Sequence, residues 1–207
     1  MKMQLSKFYR QTVDANDAET NGWATYYHGV FSKVINDNNY KRAAEVGVAY
    51  GTHAKQILRS TQIEQLYLVD SMVEHMGAFS DDIMRTKAVV PDNHFNELYE
   101  LVQTELAPWK SRCTFLRQES LSVTDEQIPP GSLDCVFVDA DHAYKAVLAD
   151  LTFWWTRIRS GGQMLGDDFW IDDVRRAVED FASKNALAYD FLYRPGTSYK
   201  IYRFRKQ

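Results

Sequence analysis

The chain has 207 residues, 45% of them hydrophobic and 25% charged, enough to bury a sizeable core and too apolar for a disordered segment. A net charge of −4 lacks the basic footprint of a general nucleic-acid binder, and no apolar run approaches the ~20 residues that span a membrane. The two cysteines, Cys113 and Cys135, form no metal-binding spacing, and with no signal-peptide pattern at the start they fit a reduced, cytoplasmic protein.

Residues 1–20 carry no assignable pattern. From Trp23 the apolar positions Tyr26, Tyr27, Val30, Phe31, Val34 and Ile35 make a helical stripe, started by Thr20 or Asn21 and ended by the run Asn36 to Asn39. Its aromatics either pack on a sheet or share in a substrate wall. Arg42 to Val48 reads as a strand, and after the turn Gly47-Val48-Ala49-Tyr50-Gly51 a helix opens at Thr52, with His53 expected on its exposed side. Glycines between a strand and a helix can bring backbone N–H groups against a ligand. Gly47 and Gly51 alone fall short of the G-x-G-x-x-G dinucleotide fingerprint, however, and a plain tight turn explains them equally well. A second strand, Ile63 to Val69, ends in Asp70, which can accept bonds from both hydroxyls of a ribose or serve as a cap. The segment from Ser71 to Trp109, with Met72, Met76, Phe79 and Met84, is longer than a crossover needs and reads as a lid or a surface insertion, with a helix at Phe95 to Leu106. A third strand, Cys113 to Leu116, runs toward Ser120.

The stretch from Leu133 to Trp170 carries the densest chemistry. Cys135-Val136-Phe137-Val138 reads as a buried strand that stops at Asp139. Asp141 opens a helix over 143–158, with Val147, Leu148, Leu151, Trp154, Trp155 and Ile158 on one face, and Ser160-Gly161-Gly162 closes it. The short strand Gln163 to Gly166 then ends in Asp167-Asp168. A right-handed crossover makes these two strands parallel neighbours, so Asp139, Asp167, Asp168 and His142 reach the carboxyl edge of one sheet, where open α/β sheets bind ligands. Gathered carboxylates need a counter-charge, which a hard divalent cation supplies. Asp172 and Asp173 suit the N-terminus of a helix running to Lys184. Strands Ala188 to Tyr193 and Ser198 to Phe204 flank the turn Arg194-Pro195-Gly196-Thr197, and Arg203, Arg205 and Lys206 read as a solvated edge.

Glu45-Val46-Gly47 with Gly51, and Leu68-Val69-Asp70, resemble the first two motifs of class I S-adenosylmethionine-dependent methyltransferases. Phe137-Val138-Asp139-Ala140-Asp141-His142 and Gly166-Asp167-Asp168 resemble the metal-dependent O-methyltransferase branch of catechol and caffeoyl-CoA enzymes. Two departures, Asp168 in place of asparagine and His142 in place of a lysine base, are similar to the macrocin and mycinamicin type. The resemblance implies a Rossmann-like α/β fold with a seven-stranded, mostly parallel sheet and a C-terminal antiparallel hairpin, as a single domain with residues 1–39 a helical cap and 40–207 the cofactor-binding core. It further implies S-adenosylmethionine held by Glu45, Gly47, Gly51, Asp70, Ser120 and Asp139, and magnesium held by Asp139, Asp167 and Asp168. His142 and Asp139 then carry catalysis, the imidazole as general base toward a hydroxyl. The expected partner is a small hydroxylated acceptor (a sugar, diol or phenol), with no nucleic acid or membrane and a homodimer as candidate assembly. A metal-independent methyltransferase and a non-catalytic S-adenosylmethionine-binding protein remain open at this stage, while the missing middle glycine disfavours a nicotinamide oxidoreductase.

Overall fold

Side chains alternate across a strand, and that alternation divides the core into two layers. In the computed structural model, which describes residues 29–73, 95–193 and 198–207, Cys135 and Phe137 of one central strand join one apolar cluster while Val136 and Val138 join the other. In chain order the described elements are α1 (Val30–Asp37), β1 (Arg42–Val46), α2 (Thr52–Ser60), β2 (Gln65–Val69), α3 (Phe95–Leu106), β3 (Cys113–Leu116), β4 (Leu133–Val138), α4 (Tyr144–Arg157), β5 (Ile158–Gly166), α5 (Asp172–Lys184), β6 (Tyr189–Tyr193) and β7 (Lys200–Arg205). Helices α1, α2 and α3 cover one face of the sheet, and α4 and α5 cover the other.

The sheet has seven strands in the order β3-β2-β1-β4-β5-β7-β6. Strands β1 to β5 are mutually parallel, and β7 inserts antiparallel between β5 and β6. The expected mostly parallel sheet with a reversed C-terminal strand is therefore the observed one. The strand order turns back between β1 and β4, and the crevice above that point is where such sheets take ligands. Arg112 ties the layers together, its guanidinium donating to the carbonyls of Leu58 at 2.7 Å, Thr61 at 3.2 Å and Ile63 at 3.1 Å. No described helix is long and apolar enough to cross a membrane.

Three local expectations need correction. Ser160-Gly161-Gly162 does not close helix α4, which ends at Arg157 and passes directly into β5. The two glycines belong to the strand: a Cβ on Gly162 would come within 3.0 Å of the Asp134 carbonyl oxygen, and Gly161 N–H donates to Lys206. His53 is not exposed, because the stripe that α2 buries is His53, Ala54, Ile57 and Leu58. The C-terminal cations are not merely solvated: Arg203 and Arg205 pair with Asp190, and Lys206 Nζ donates to the carbonyls of Trp155 and Ile158, near the C-terminal end of α4. The aromatic stripe before Gly29, most of the 71–92 segment and the turn 194–197 lie outside the described residues.

Candidate active site

The first half of the site is the turn after β1. Gly47 has φ +88°, a conformation that side chains resist, and a Cβ there would run into the carbonyl of Asp139. Gly51, at φ +73°, leaves room for Val102 of α3, whose Cγ1 would lie 2.8 Å from a Cβ. Both glycines thus let protein groups approach, one the β4 backbone and the other a packing helix. Asp70 fixes the same turn. Its Oδ2 accepts from the N–H groups of Val48 at 2.8 Å and Ala49 at 3.0 Å, and its Oδ1 accepts from Met72 at 2.7 Å. The carboxylate at the tip of β2 is therefore held in place by backbone donors before any ribose is considered.

Glu45 lies under this turn, 3% exposed, with its Oε1 sharing a 3.0 Å hydrogen bond with His53 Nδ1. Ser120 is committed to packing. Its hydroxyl donates to Asp150 at 2.5 Å and accepts from the Trp154 indole at 2.8 Å, joining the end of β3 to α4. Burial, with the charges of Asp141 and Glu119 adding to it, holds the Asp150 carboxyl up at about 6 although the Ser120 bond favours its ionised form.

The second half is the acidic cluster at the ends of β4 and β5. Asp139 N–H donates to Val46 and Asp167 N–H donates to Val138, so each strand end is pinned to its neighbour. Asp168 sits at φ +56°, a region that Asp and Asn tolerate better than other non-glycine residues, which gives either residue a physical reason to stand there. Its Oδ2 lies 2.7 Å from His142 Nε2, and Asp139 Oδ1 lies 3.7 Å from the same nitrogen. Ligand atoms of Asp139, His142 and Asp168 all fall within 4.8 Å of one another, a spacing a single metal ion could bridge. Asp167 is engaged differently: its Oδ1 accepts from the Tyr199 hydroxyl and from Asp168 N–H. It is not among the three grouped residues.

Electrostatics follow from this crowding. Burial, reinforced by the neighbouring charges of Asp139 and Asp168, lifts Asp167 well above the usual carboxylate range. Burial also raises Asp139, outweighing its bond to His142. Burial alone would lower His142, yet the bonds to Asp139 and Asp168 win and carry it to about 10. The imidazolium thus does here what a bound cation would do, neutralising a carboxylate pair. His142 lies two residues before α4 and is not part of it; Asp141 accepts from Ala143 N–H in the turn that leads in, and Asp173 of α5 accepts from Tyr144 N–H.

Two residues near the cluster carry no motif. Tyr199, just before β7, donates to Asp167, and burial raises its phenol far out of reach of physiological ionisation. The Tyr202 hydroxyl lies over Gly166, where any Cβ would overlap it. Only the alternation of β7 could have suggested Tyr202 as an inward residue, and nothing local could have paired Tyr199 with a strand end some thirty residues away.

Comparison with known proteins identifies the family and the fold. A family described as a methyltransferase domain matches residues 44–169, from β1 to the residue after Asp168. No curated protein sequence matches the chain. Among solved structures, an O-methyltransferase from Bacillus cereus in complex with SAH superposes with a TM-score of 0.62 at 15% identity, covering 98% of this chain and 90% of that one. TomG from Streptomyces achromogenes, an O-methyltransferase of tomaymycin synthesis in complex with SAM, gives 0.59 at 15% identity over 86% and 78%. A putative caffeoyl-CoA O-methyltransferase from Staphylococcus aureus gives 0.60 at 13% identity over 86% and 81%. Such identities speak for the fold, and the family match covers more than half of the sequence. The chain belongs to the methyltransferase-domain family, as an S-adenosylmethionine-dependent enzyme of the class I Rossmann-like fold.

Proposed function

We propose that this methyltransferase acts on a hydroxyl oxygen of a small acceptor, with a divalent cation held at Asp139 and Asp168. The observation that carries the reading is the meeting of Asp139, His142 and Asp168 at the strand ends beside the glycine turn. The donor set fits a cation: two carboxylates converge with an imidazole beside them, and burial disfavours the bare charge on Asp139. A bound divalent ion would stabilise an acceptor alkoxide, and S-adenosylmethionine would supply the methyl group as an electrophile.

The residues of the chain do the rest. The S–CH3 bond breaks as the O–CH3 bond forms, an in-line displacement that requires the two reactants to be held in register. Gly47, Gly51, Asp70 and Glu45 line the donor side, and the Asp139–Asp168 edge faces the acceptor. The acceptor proton passes to His142 Nε2. Once Asp139 and Asp168 are engaged by a cation they no longer hold the imidazole in its protonated form, so it can accept. Proteins of similar fold include O-methyltransferases, which supports oxygen as the target.

The test is turnover of S-adenosylmethionine with a panel of catechols, vicinal diols and sugars, followed by mass spectrometry for the gain of one CH2. Activity that chelation abolishes and magnesium or manganese restores is the expected outcome. Full activity in excess chelator, with Asp168→Ala unimpaired, would remove the cation from the scheme. A second reading, in which His142 is the third ligand and not the base, is favoured by its 2.7 Å approach to Asp168. Electron spin-echo spectroscopy of the manganese-loaded protein decides between them, since a directly bound imidazole nitrogen couples to the metal and a base held off it does not.

A further inference from the structure

Tyr202 carries a hydroxyl that the packing around it does not require. The side chain is 1% exposed on β7, on the sheet face that α4 and α5 cover, and its ring lies 6.3 Å from that of Phe169 and 6.2 Å from that of Phe204. Phenylalanine would fill such a place, and a buried phenol O–H normally finds an acceptor. Tyr202 Oη makes no hydrogen bond to any described residue. The chain nonetheless makes room for it: Gly166 faces Tyr202 across the β5–β7 register, and any Cβ there would overlap the hydroxyl. A glycine at the last position of β5 and a tyrosine opposite together bring one O–H across the end of β5.

That hydroxyl belongs to the wall of a small cavity behind the acidic cluster. Asp139, His142, Asp167 and Tyr202 line it with polar groups, Val147 of α4 and Val174 of α5 close its apolar side, and about 10 Å³ of it is open to the centre of a water molecule. This is room for a single water. The charge that bears most on the phenol is that of Asp139, followed by that of Asp167. Asp167 accepts two bonds, both at Oδ1, and its Oδ2 makes none with a described residue. Neither carboxylate reaches the phenol directly. A molecule between them must accept from an O–H and donate to carboxylates, which water does and a metal cation cannot.

We propose that this cavity holds one structural water, and that Tyr202 is a positioning residue for the acidic site: its hydroxyl donates to the water, which donates on to Asp139 and Asp167 and ties the ends of β4 and β5 together from behind. This rests on the cation reading above and adds the support that holds its carboxylates in place. Tyr202 itself touches neither cation, cofactor nor acceptor. Without the phenol oxygen the water loses its donor, and the two strand ends lose their shared bridge. Outer partners of this kind are worth about 10–100-fold in metal affinity.

The experiment compares the parent with Tyr202→Phe, which keeps the ring and removes only the oxygen. Each is titrated with manganese, followed by its paramagnetic resonance, and with S-adenosylhomocysteine by calorimetry, and each is unfolded in urea. Tyr202→Phe is expected to weaken manganese by about 10-fold or more, with S-adenosylhomocysteine changed by less than about 2-fold and the urea midpoint held. High-resolution diffraction of the parent should show a water within about 3.2 Å of Tyr202 Oη and of a carboxylate oxygen of Asp139 or Asp167. A dry cavity in the parent overturns the proposal, as does manganese affinity in Tyr202→Phe equal to the parent's, with or without a loss of stability. If Tyr202→Phe does not fold, Val174→Ile, which fills the cavity from its other wall, must weaken manganese to the same degree, and unchanged affinity refutes the bridge. A parent that binds no manganese at millimolar concentration removes the cation reading instead, and the role of Tyr202 with it.

Discussion

Replacing Gly47 with alanine tests the architecture at its tightest point. Two costs separate cleanly. The first is conformational, because φ is +88° at this position and an L side chain there costs ~1–2 kcal/mol. The second is steric. The new Cβ would fall well inside 3.0 Å of the Asp139 carbonyl oxygen and 2.8 Å from the Ala140 Cα, both backbone groups that no rotamer change can move. Relief requires one strand end to shift by about 1 Å, and overpacking of this kind costs ~1–3 kcal/mol. Gly131→Ala supplies the control: its φ is +65°, but nothing lies within 4 Å of a Cβ there. Gly131→Ala should therefore lose only the conformational part, about 1–2 kcal/mol or roughly 2–8 °C in Tm, and keep the parent's activity. Gly47→Ala should lose about 2–5 kcal/mol and, with Asp139 holding the proposed cation, move it by far more than the ~0.2 Å that ligand distances tolerate, so activity should fall by about 100-fold in protein that is still folded. Urea unfolding and steady-state rates on the three proteins read both quantities. If Gly47→Ala matches Gly131→Ala in stability and the parent in rate, the contact between the turn and the β4 end does not constrain the site, and the reasoning fails.

Other outcomes follow from particular contacts. Asp70→Ala should weaken S-adenosylhomocysteine by ~10-fold or more in calorimetry, since three backbone N–H groups lose their acceptor and the turn they hold loosens; unchanged affinity would place the ribose elsewhere. Arg112→Met should cost on the order of 2–4 kcal/mol in urea unfolding, with the activity of the folded fraction unchanged, because three carbonyls lose a charged donor far from the strand ends. Asp150 has a folded value of about 6 against 3.8 in model compounds, so the stability it contributes is full below 3.8 and is lost as pH rises through about 6. Asp150→Asn should therefore gain on the parent between pH 4 and 7, by on the order of 3 kcal/mol, and a pH-independent difference in unfolding free energy would contradict the buried, ionisable carboxyl.

The sequence by itself determined what local physics can determine. Alternation and helical period found all seven strands and helices α2 to α5, missing only the first half of β5, and the right-handed crossover put Asp139 and the Asp167-Asp168 pair at neighbouring strand ends. The glycine turn and the acidic tip of β2 were legible because strand, turn and helix signals follow one another without interruption. What the tertiary structure decided was where each polar atom is spent. Ser120 is taken by Asp150 and Trp154, which belong to a helix thirty residues away, so its hydroxyl packs the fold at a place the resemblance reserved for the cofactor. Asp167 Oδ1 is taken up by Tyr199, while His142 joins Asp139 and Asp168 in the close group, contacts that composition alone does not reveal. Ser160-Gly161-Gly162 looked like a helix stop, yet the approach of β4 and β7 to that backbone turned it into strand. His53 lay in the α2 stripe all along, but only the facing Glu45 gives a buried imidazole a reason to be there. Each of these depends on contacts between residues far apart in the chain, and such contacts leave no period in the sequence to read.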